Sequence, residues 1–224
     1  MIAYAKIASN AELIKMKNIF SLFLDLVFPP RCEVCRKSGE AALCPECFSS
    51  IRFMKPQFGL HSVSAYDGAM KTALHRLKFQ KRKKLAEPLG VLIVNYLGQA
   101  QTLKMKEIDG IVPVPLHPRR RRERGFNQVE LMAAVISRYF EVPVIPMIER
   151  VKNTRPQFDL PRSARAVNIK GAFHVKEPLA AFNKRVLLLD DIYTTGSTVS
   201  ECVRVLSAAG ARRIEVLTLS RAVL

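Results

Sequence analysis

The segment Val186–Thr198, VLLLDDIYTTGST, constrains the fold of this chain more tightly than any other stretch. Four consecutive apolar residues predict a strand buried on both faces, the kind found in a parallel sheet covered by helices. At its carboxyl end Asp190 and Asp191 present carboxylates that can accept hydrogen bonds from sugar hydroxyls or hold a Mg2+ through its water shell. The small residues from Thr194 to Thr198 then turn the chain into a helix. Hydroxyls and the first, unpaired N–H groups of that helix can surround a phosphate, and Gly196 supplies a positive φ and close approach. An ordinary buried strand and capped helix would require neither two adjacent acids nor five small residues in a row. Downstream, Val199–Ala209 reads as a helix ending at Gly210 and Ile214–Leu219 as the next strand, so a right-handed βαβ unit is expected.

From its apolar run and acidic pair to its TTGST loop, the segment resembles the phosphoribosyl pyrophosphate (PRPP) signature of type I phosphoribosyltransferases. The resemblance implies a parallel sheet flanked by helices, with PRPP and its Mg2+ bound by Asp190, Asp191, Tyr193, Thr194, Thr195, Gly196, Ser197 and Thr198. Asp190 and Asp191 would be the catalytic pair that orients the ribose.

The length of 224 residues leaves room for such a domain and a small extra module. A formal net charge of +17 makes polyanions and phosphorylated ligands the leading partner classes, although basic structural proteins share that balance.

Four of the five cysteines form the extra module. Cys32 and Cys35 make one CxxC turn, Cys44 and Cys47 another, with eight residues between them. Two such turns suit tetrahedral zinc, and a shell of four thiolates leaves no position for substrate, so the metal is expected to be structural. Disulfides or a redox CxxC are the competing readings, less suited to two paired motifs in a reducing cytosol. Cys202 stands apart and reads as a buried small hydrophobe.

A second anion site is expected in Ile111–Gln128, IVPVPLHPRRRRERGFNQ, where a short strand runs into a basic loop and then a helix. Arg119, Arg120, Arg121, Arg122 and Arg124 offer planar forks for phosphate. A run of arginines is commonly just a solvated face, but its place beyond a parallel strand favours a ligand, whether pyrophosphate (Arg119, Arg121) or nucleic-acid phosphates. Lys71–Lys84 adds Lys81, Arg82, Lys83 and Lys84 to a candidate single-stranded DNA track. Phe79 and Phe126 lie among these cations and can stack on bases, although each also reads as core. In 150–168, Thr154, Gln157, Arg165 and Asn168 read as a ligand-closing segment or a structural loop.

The apolar run Ile19–Phe28 follows Lys15 and Lys17 but is broken by Asp25 and too short to cross a bilayer. It reads as an amphipathic helix packed on the protein's own core, with no stable membrane insertion and a cytoplasmic setting. His61, His75 and His174 lack metal-ligand spacing; His117 lies in the basic loop and can touch pyrophosphate. There is no nucleophile–base triad, no GxxxxGK(S/T) loop and no internal repeat.

With the cysteine pairs, the blocks PVPLHPRRRRERGFNQ, RVKNTRPQ from Arg150 and RAVNIKGAF from Arg165, the arrangement resembles the competence protein ComF family from about Leu22 onward. The resemblance implies an extension at 1–21, a zinc module at 22–55 and a phosphoribosyltransferase-like domain at 56–224. It also implies a role in natural transformation, handling incoming single-stranded DNA near the uptake channel and helicase proteins. An active phosphoribosyltransferase, joining ribose 5-phosphate to a nitrogen acceptor, is the alternative. Nothing in the sequence identifies an acceptor base.

Overall fold

The computed structural model describes residues 29–55, 60–99, 103–154, 161 and 164–222. The run expected as an N-terminal amphipathic helix, Ile19–Phe28, lies outside the described residues, as do Gln157 and the extension at 1–21. Along the chain the elements are α1 (Pro45–Ser49), β1 (His61–Ala65), α2 (Gly68–Phe79), α3 (Ala86–Gln99), β2 (Gly110–Pro113), α4 (Pro118–Arg124), α5 (Gln128–Phe140), β3 (Ile148–Arg150), α6 (Ala164–Ile169), β4 (Phe173–Val175), α7 (Pro178–Ala181), β5 (Arg185–Tyr193), α8 (Ser197–Ala208) and β6 (Arg213–Arg221). Short 3-10 turns occupy Lys83–Leu85 and Met105–Glu107.

Strands β1, β6, β5 and β2 form, in that spatial order, a sheet in which every pairing is parallel. Side-chain alternation along β5 divides the core into two layers. Leu187 and Leu189, with Ile111, Leu217 and Leu219, pack against α2, α3 and α5. Val186 and Leu188, with Val112 and Val114, pack against Val199, Cys202 and Leu206 of α8 and against the antiparallel hairpin β3–β4. Both faces are thus covered, which is why β5 reads as an unbroken apolar run. This is the parallel sheet flanked by helices expected from the sequence. Cys202 is fully buried, as expected. Gly90 lets α3 approach α5 closely, since a Cβ there would stand 2.6 Å from Val135 Cβ.

Connectivity fixes where a ligand can sit. The chain leaves β2 through α4 and α5 and returns to pair Val144 with Ile111, on the outer side of β2. It leaves β5 through α8 and returns as β6 on the opposite side. The two crossovers diverge between β2 and β5, the topological switch point, and open α/β sheets take their ligands beyond the strand carboxyl ends at such a point.

The N-terminal cysteine module packs into the same core. Cys32, Leu43, Cys44, Cys47 and Ile51 are contiguous with Val63, Met70, Leu74 and Leu77. Its exit segment pairs with the outer edge of β1, Met54 N–H donating to Val63 O at 3.0 Å and Ala65 N–H to Arg52 O at 2.9 Å. That pairing blunts an edge that would otherwise invite association. Arg76 of α2 donates to the Glu33 carbonyl, and Arg82 lies 3.6 Å from the Glu33 carboxylate, holding the module against α2.

Candidate functional site

At the switch point the acidic pair lies inside β5 and not at its end, because the strand continues through Ile192 and Tyr193 beyond it. Successive strand residues face opposite ways, so the two carboxylates straddle the sheet. Asp191 follows Leu187 and Leu189 toward α2 and α5, where its Oδ2 lies 2.8 Å from Lys78 Nζ and accepts from Gln128 Nε2. Asp190 follows Val186 and Leu188 toward α8 and the hairpin, and its Oδ1 accepts the Asp191 N–H at 2.8 Å. Burial, then the neighbouring Asp191 charge, raise the Asp190 carboxyl to about 7, against the lowering effect of that N–H, Lys78 and Arg150. Near neutrality Asp190 is therefore a group able to bind or release a proton.

The small-residue turn follows directly. Gly196 adopts φ +77°, as its position required, and caps α8. Tyr193 folds over it: a Cβ on Gly196 would stand 2.4 Å from Tyr193 Oη. Thr195 Oγ1 and Ser197 Oγ are 2.8 Å apart, half-buried beside the first N–H groups of α8, which have no carbonyl four residues back. Thr194 and Thr198 are likewise half-buried.

The arginine run differs from expectation in one respect. It is a helix, α4, and not a loop. Pro118 occupies its first turn, His117 Nδ1 accepts the Arg119 N–H at 3.3 Å, and Gly125 at φ 81° stops it. Helical spacing sorts the arginines. Arg119 pairs with Glu123 at 3.0 Å and Arg121 with Glu130 at 2.6 Å, both on the exposed side. Arg120 and Arg124, four residues apart, are half-buried: Arg120 donates to the Thr154 carbonyl at 2.6 Å, and Arg124 to Gln128 Oε1. Arg122 is exposed. His117, expected near pyrophosphate, acts here as a helix cap.

Asn127 links α4 to the strand end. Its Oδ1 accepts the Val129 N–H at 3.0 Å, capping α5, while its Nδ2 donates to Val114 O at 3.0 Å. Gln128 is thereby held over Asp191. A continuous chain of contacts results, from Lys78 to Asp191, Gln128, Arg124 and Phe79, whose ring centroid lies 5.9 Å from the Arg124 guanidinium carbon. Phe79 is 53% exposed and also packs against His75, with ring centroids 4.9 Å apart. Lys81, Arg82, Lys83 and Lys84 continue this basic surface, all exposed. Phe126 is buried, with Lys83 Nζ 5.1 Å above its ring, so only Phe79 of the two is available for stacking.

Lys78, Gln128 and Arg150 were not singled out by sequence reasoning. Lys78 is one lysine among many in a basic stretch. Gln128 carried a usable signal, an N-cap asparagine immediately before an amphipathic helix. Arg165 and Asn168 fall in or beside α6, and His61 is buried with Nδ1 3.3 Å from Tyr96 Oη.

In the cysteine module the sulfurs of Cys32, Cys35, Cys44 and Cys47 all lie within 4.8 Å of one another, with Cys35 and Cys44 Sγ 3.6 Å apart. Four thiolates at the usual zinc–sulfur length of about 2.3 Å form a tetrahedron with edges of about 3.8 Å, so the donor set fits zinc. Val34 and Cys44 N–H groups point at Cys32 Sγ at 3.3 and 3.4 Å. Burial raises the Cys32 thiol, but these and the Cys35 backbone outweigh it and bring the thiol to about 6, favouring a metal-binding thiolate. Among the described residues no helix is long and apolar enough to cross a membrane.

Residues 23–59 match the model of the double zinc ribbon domain family. Over 205 residues the chain is 30% identical to the DNA utilization protein YhgH of Escherichia coli K12, spanning 85% of this chain and 89% of that one. It is also 30% identical over 206 residues to competence protein F of Haemophilus influenzae, spanning 85% and 90%. Among solved structures, the glutamine PRPP amidotransferase of B. subtilis overlays with a TM-score of 0.39 at 19% identity, covering 59% of this chain and only 25% of that larger protein.

Proposed function

We propose, for a chain that belongs to the competence protein ComF family, that it serves DNA uptake by binding single-stranded DNA and carries a PRPP pocket coupled to that binding. The observation that carries this reading is the side-chain relay from exposed Phe79 through Arg124 and Gln128 to Asp191. Bases stacking on Phe79, with phosphates drawn to α4 and to Lys81–Lys84, would compete for Arg124. A ribose hydroxyl or cation at the acidic pair would compete for Gln128 and Lys78. Either ligand then changes the partners available to the other, a reciprocal coupling.

In the pocket, Thr194–Thr198 and the α8 N-terminus hold the 5′-phosphate, Asp190 and Asp191 the ribose, and the outer arginines Arg119 and Arg121 the pyrophosphate. Their exposed ion pairs with Glu123 and Glu130 are weak enough to be exchanged for phosphate. The two carboxylates are hard oxygen donors that suit Mg2+, which when bound with PRPP would neutralise charge at the pyrophosphate. The switch-point position supports the transferase as the second reading. There a nitrogen nucleophile displaces pyrophosphate from the anomeric carbon while cations stabilise the departing charge. Partner proteins at the uptake channel, and a cytoplasmic setting, follow from the same reading.

The test is fluorescence anisotropy of labelled single-stranded DNA across salt, with and without saturating PRPP and Mg2+. PRPP is expected to alter DNA affinity. Asp191→Asn should abolish PRPP binding and leave DNA binding nearly intact. Arg119→Ala with Arg121→Ala should weaken DNA and lower the salt slope by about 0.7 per lost phosphate contact. Equal DNA loss in the acid and arginine variants would sink the division, and no DNA binding at all would leave the transferase, tested by pyrophosphate release over a panel of nucleobases.

A further inference from the structure

Arg150, at the end of β3, is 8% exposed, yet among the described residues it forms no ion pair within 4.0 Å. Its Nε is buried without a hydrogen-bond partner. One terminal nitrogen donates to Thr154 Oγ1, and the guanidinium carbon lies 5.4 Å from the Phe173 ring centroid in β4. Burying a guanidinium with an unmet donor is costly, and a fold retains such a group where something else completes it.

A second cation sits beside it. Thr154, whose hydroxyl accepts from Arg150, also accepts at its carbonyl from Arg120 of α4 at 2.6 Å. One residue thus braces two guanidiniums from different elements against their mutual repulsion, and burial and then Arg120 together lower the proton affinity of Arg150. Arg150 lies on the Asp190 flank of the sheet, since the Phe173 ring it covers belongs to the core layer of Val186 and Leu188. Lys78 and Gln128 occupy the Asp191 flank. In the proposed pocket the 5′-phosphate already has the α8 turn and the pyrophosphate has Arg119 and Arg121, so neither claims the buried Arg150.

We propose that Arg120 and Arg150, braced by Thr154 beneath the β3–β4 hairpin, form an additional oxyanion subsite that receives the phosphate or carboxylate group of a second, anionic ligand bound beside PRPP. It rests on the PRPP reading for its neighbour but not for its own chemistry. Two guanidinium forks suit an oxyanion through charge-assisted bonds, and such a ligand would satisfy the orphaned Nε–H. If the pocket is catalytic, its acceptor is therefore anionic.

The experiment is calorimetric titration of inorganic phosphate into the zinc-loaded full chain, alone and with saturating PRPP and Mg2+. Phosphate is expected to bind in both conditions. Arg150→Gln should weaken it by about tenfold or more, the loss of a charge-assisted bond, while PRPP affinity moves less than about threefold. Arg120→Gln, on a half-exposed helix that tolerates the change, should also weaken phosphate and decides the matter if Arg150→Gln melts early. The idea is overturned if PRPP displaces the phosphate and both affinities fall together in Arg150→Gln, which makes the pair PRPP's own pyrophosphate ligands. It is equally overturned if phosphate does not bind or ignores both substitutions. Phosphate binding that depends on Arg150 in a chain that never binds PRPP would support the subsite while refuting the PRPP pocket.

Discussion

Removing zinc should destabilise the whole chain, not the ribbon alone. Leu43, 1% exposed, and Ile51, 4% exposed, are buried in the core that also holds Val63, Met70, Leu74 and Leu77. Burial of two such side chains is worth about 1.5–3 kcal/mol each. The two backbone bonds that tie Arg52 and Met54 to β1 add about 0.5–1.5 kcal/mol apiece. Together the ribbon supplies about 4–9 kcal/mol to its neighbour, a large part of the 5–15 kcal/mol that stabilises an average domain. For a chain of this size, about 2–4 °C per kcal/mol converts that into a fall of about 8–36 °C in melting temperature. The assay is scanning calorimetry under reducing conditions, with zinc and then with excess chelator. A single transition that moves by this amount is expected. A main transition shifted by less than about 3 °C, with only ribbon amides losing exchange protection, would refute the shared-core argument.

Two further expectations concern the site. Phe79→Ala should lower single-stranded DNA affinity by about 1–3 kcal/mol, the worth of one stacked base, with little change in melting temperature because the ring is 53% exposed; unchanged anisotropy would exclude stacking there. Asp190, raised to about 7, keeps a proton in the fold that an unfolded aspartate with its pKa near 3.8 has lost, so its contribution makes stability fall as pH rises between those values. The size is on the order of 4 kcal/mol. Urea midpoints at pH 5 and 7.5 should show Asp190→Asn declining less than the parent, and identical pH slopes would place the proton elsewhere.

Much of the architecture was legible locally. The strand and helix around VLLLDDIYTTGST were expected at about 186–189 and 199–209 and are found at Arg185–Tyr193 and Ser197–Ala208. Short-range signals suffice there, because an apolar run, a positive-φ glycine and a capped helix each act within a few residues. The basic stretch shows how one signal can hide another. Pro118 at the first helical turn and Gly125 beyond the last mark a helix, yet four consecutive arginines suggested an open loop. The cysteine spacing defined its cluster for a similar reason, since two CxxC turns present converging thiolates wherever the module docks.

What the amino-acid sequence determined by itself was therefore the chemistry of separate pieces: a phosphate-shaped turn after an acidic pair, a four-thiolate cluster and a surplus of cations. Tertiary structure decided which of those cations matter. Lys78 and Gln128 reach Asp191 from elements far away in the chain, and Arg150 turns inward while Arg119 and Arg121 pair outward. Such choices depend on strand order and on the opposite facing of adjacent strand residues. Both are set by burial summed over two helical layers, a long-range free energy that no local motif carries.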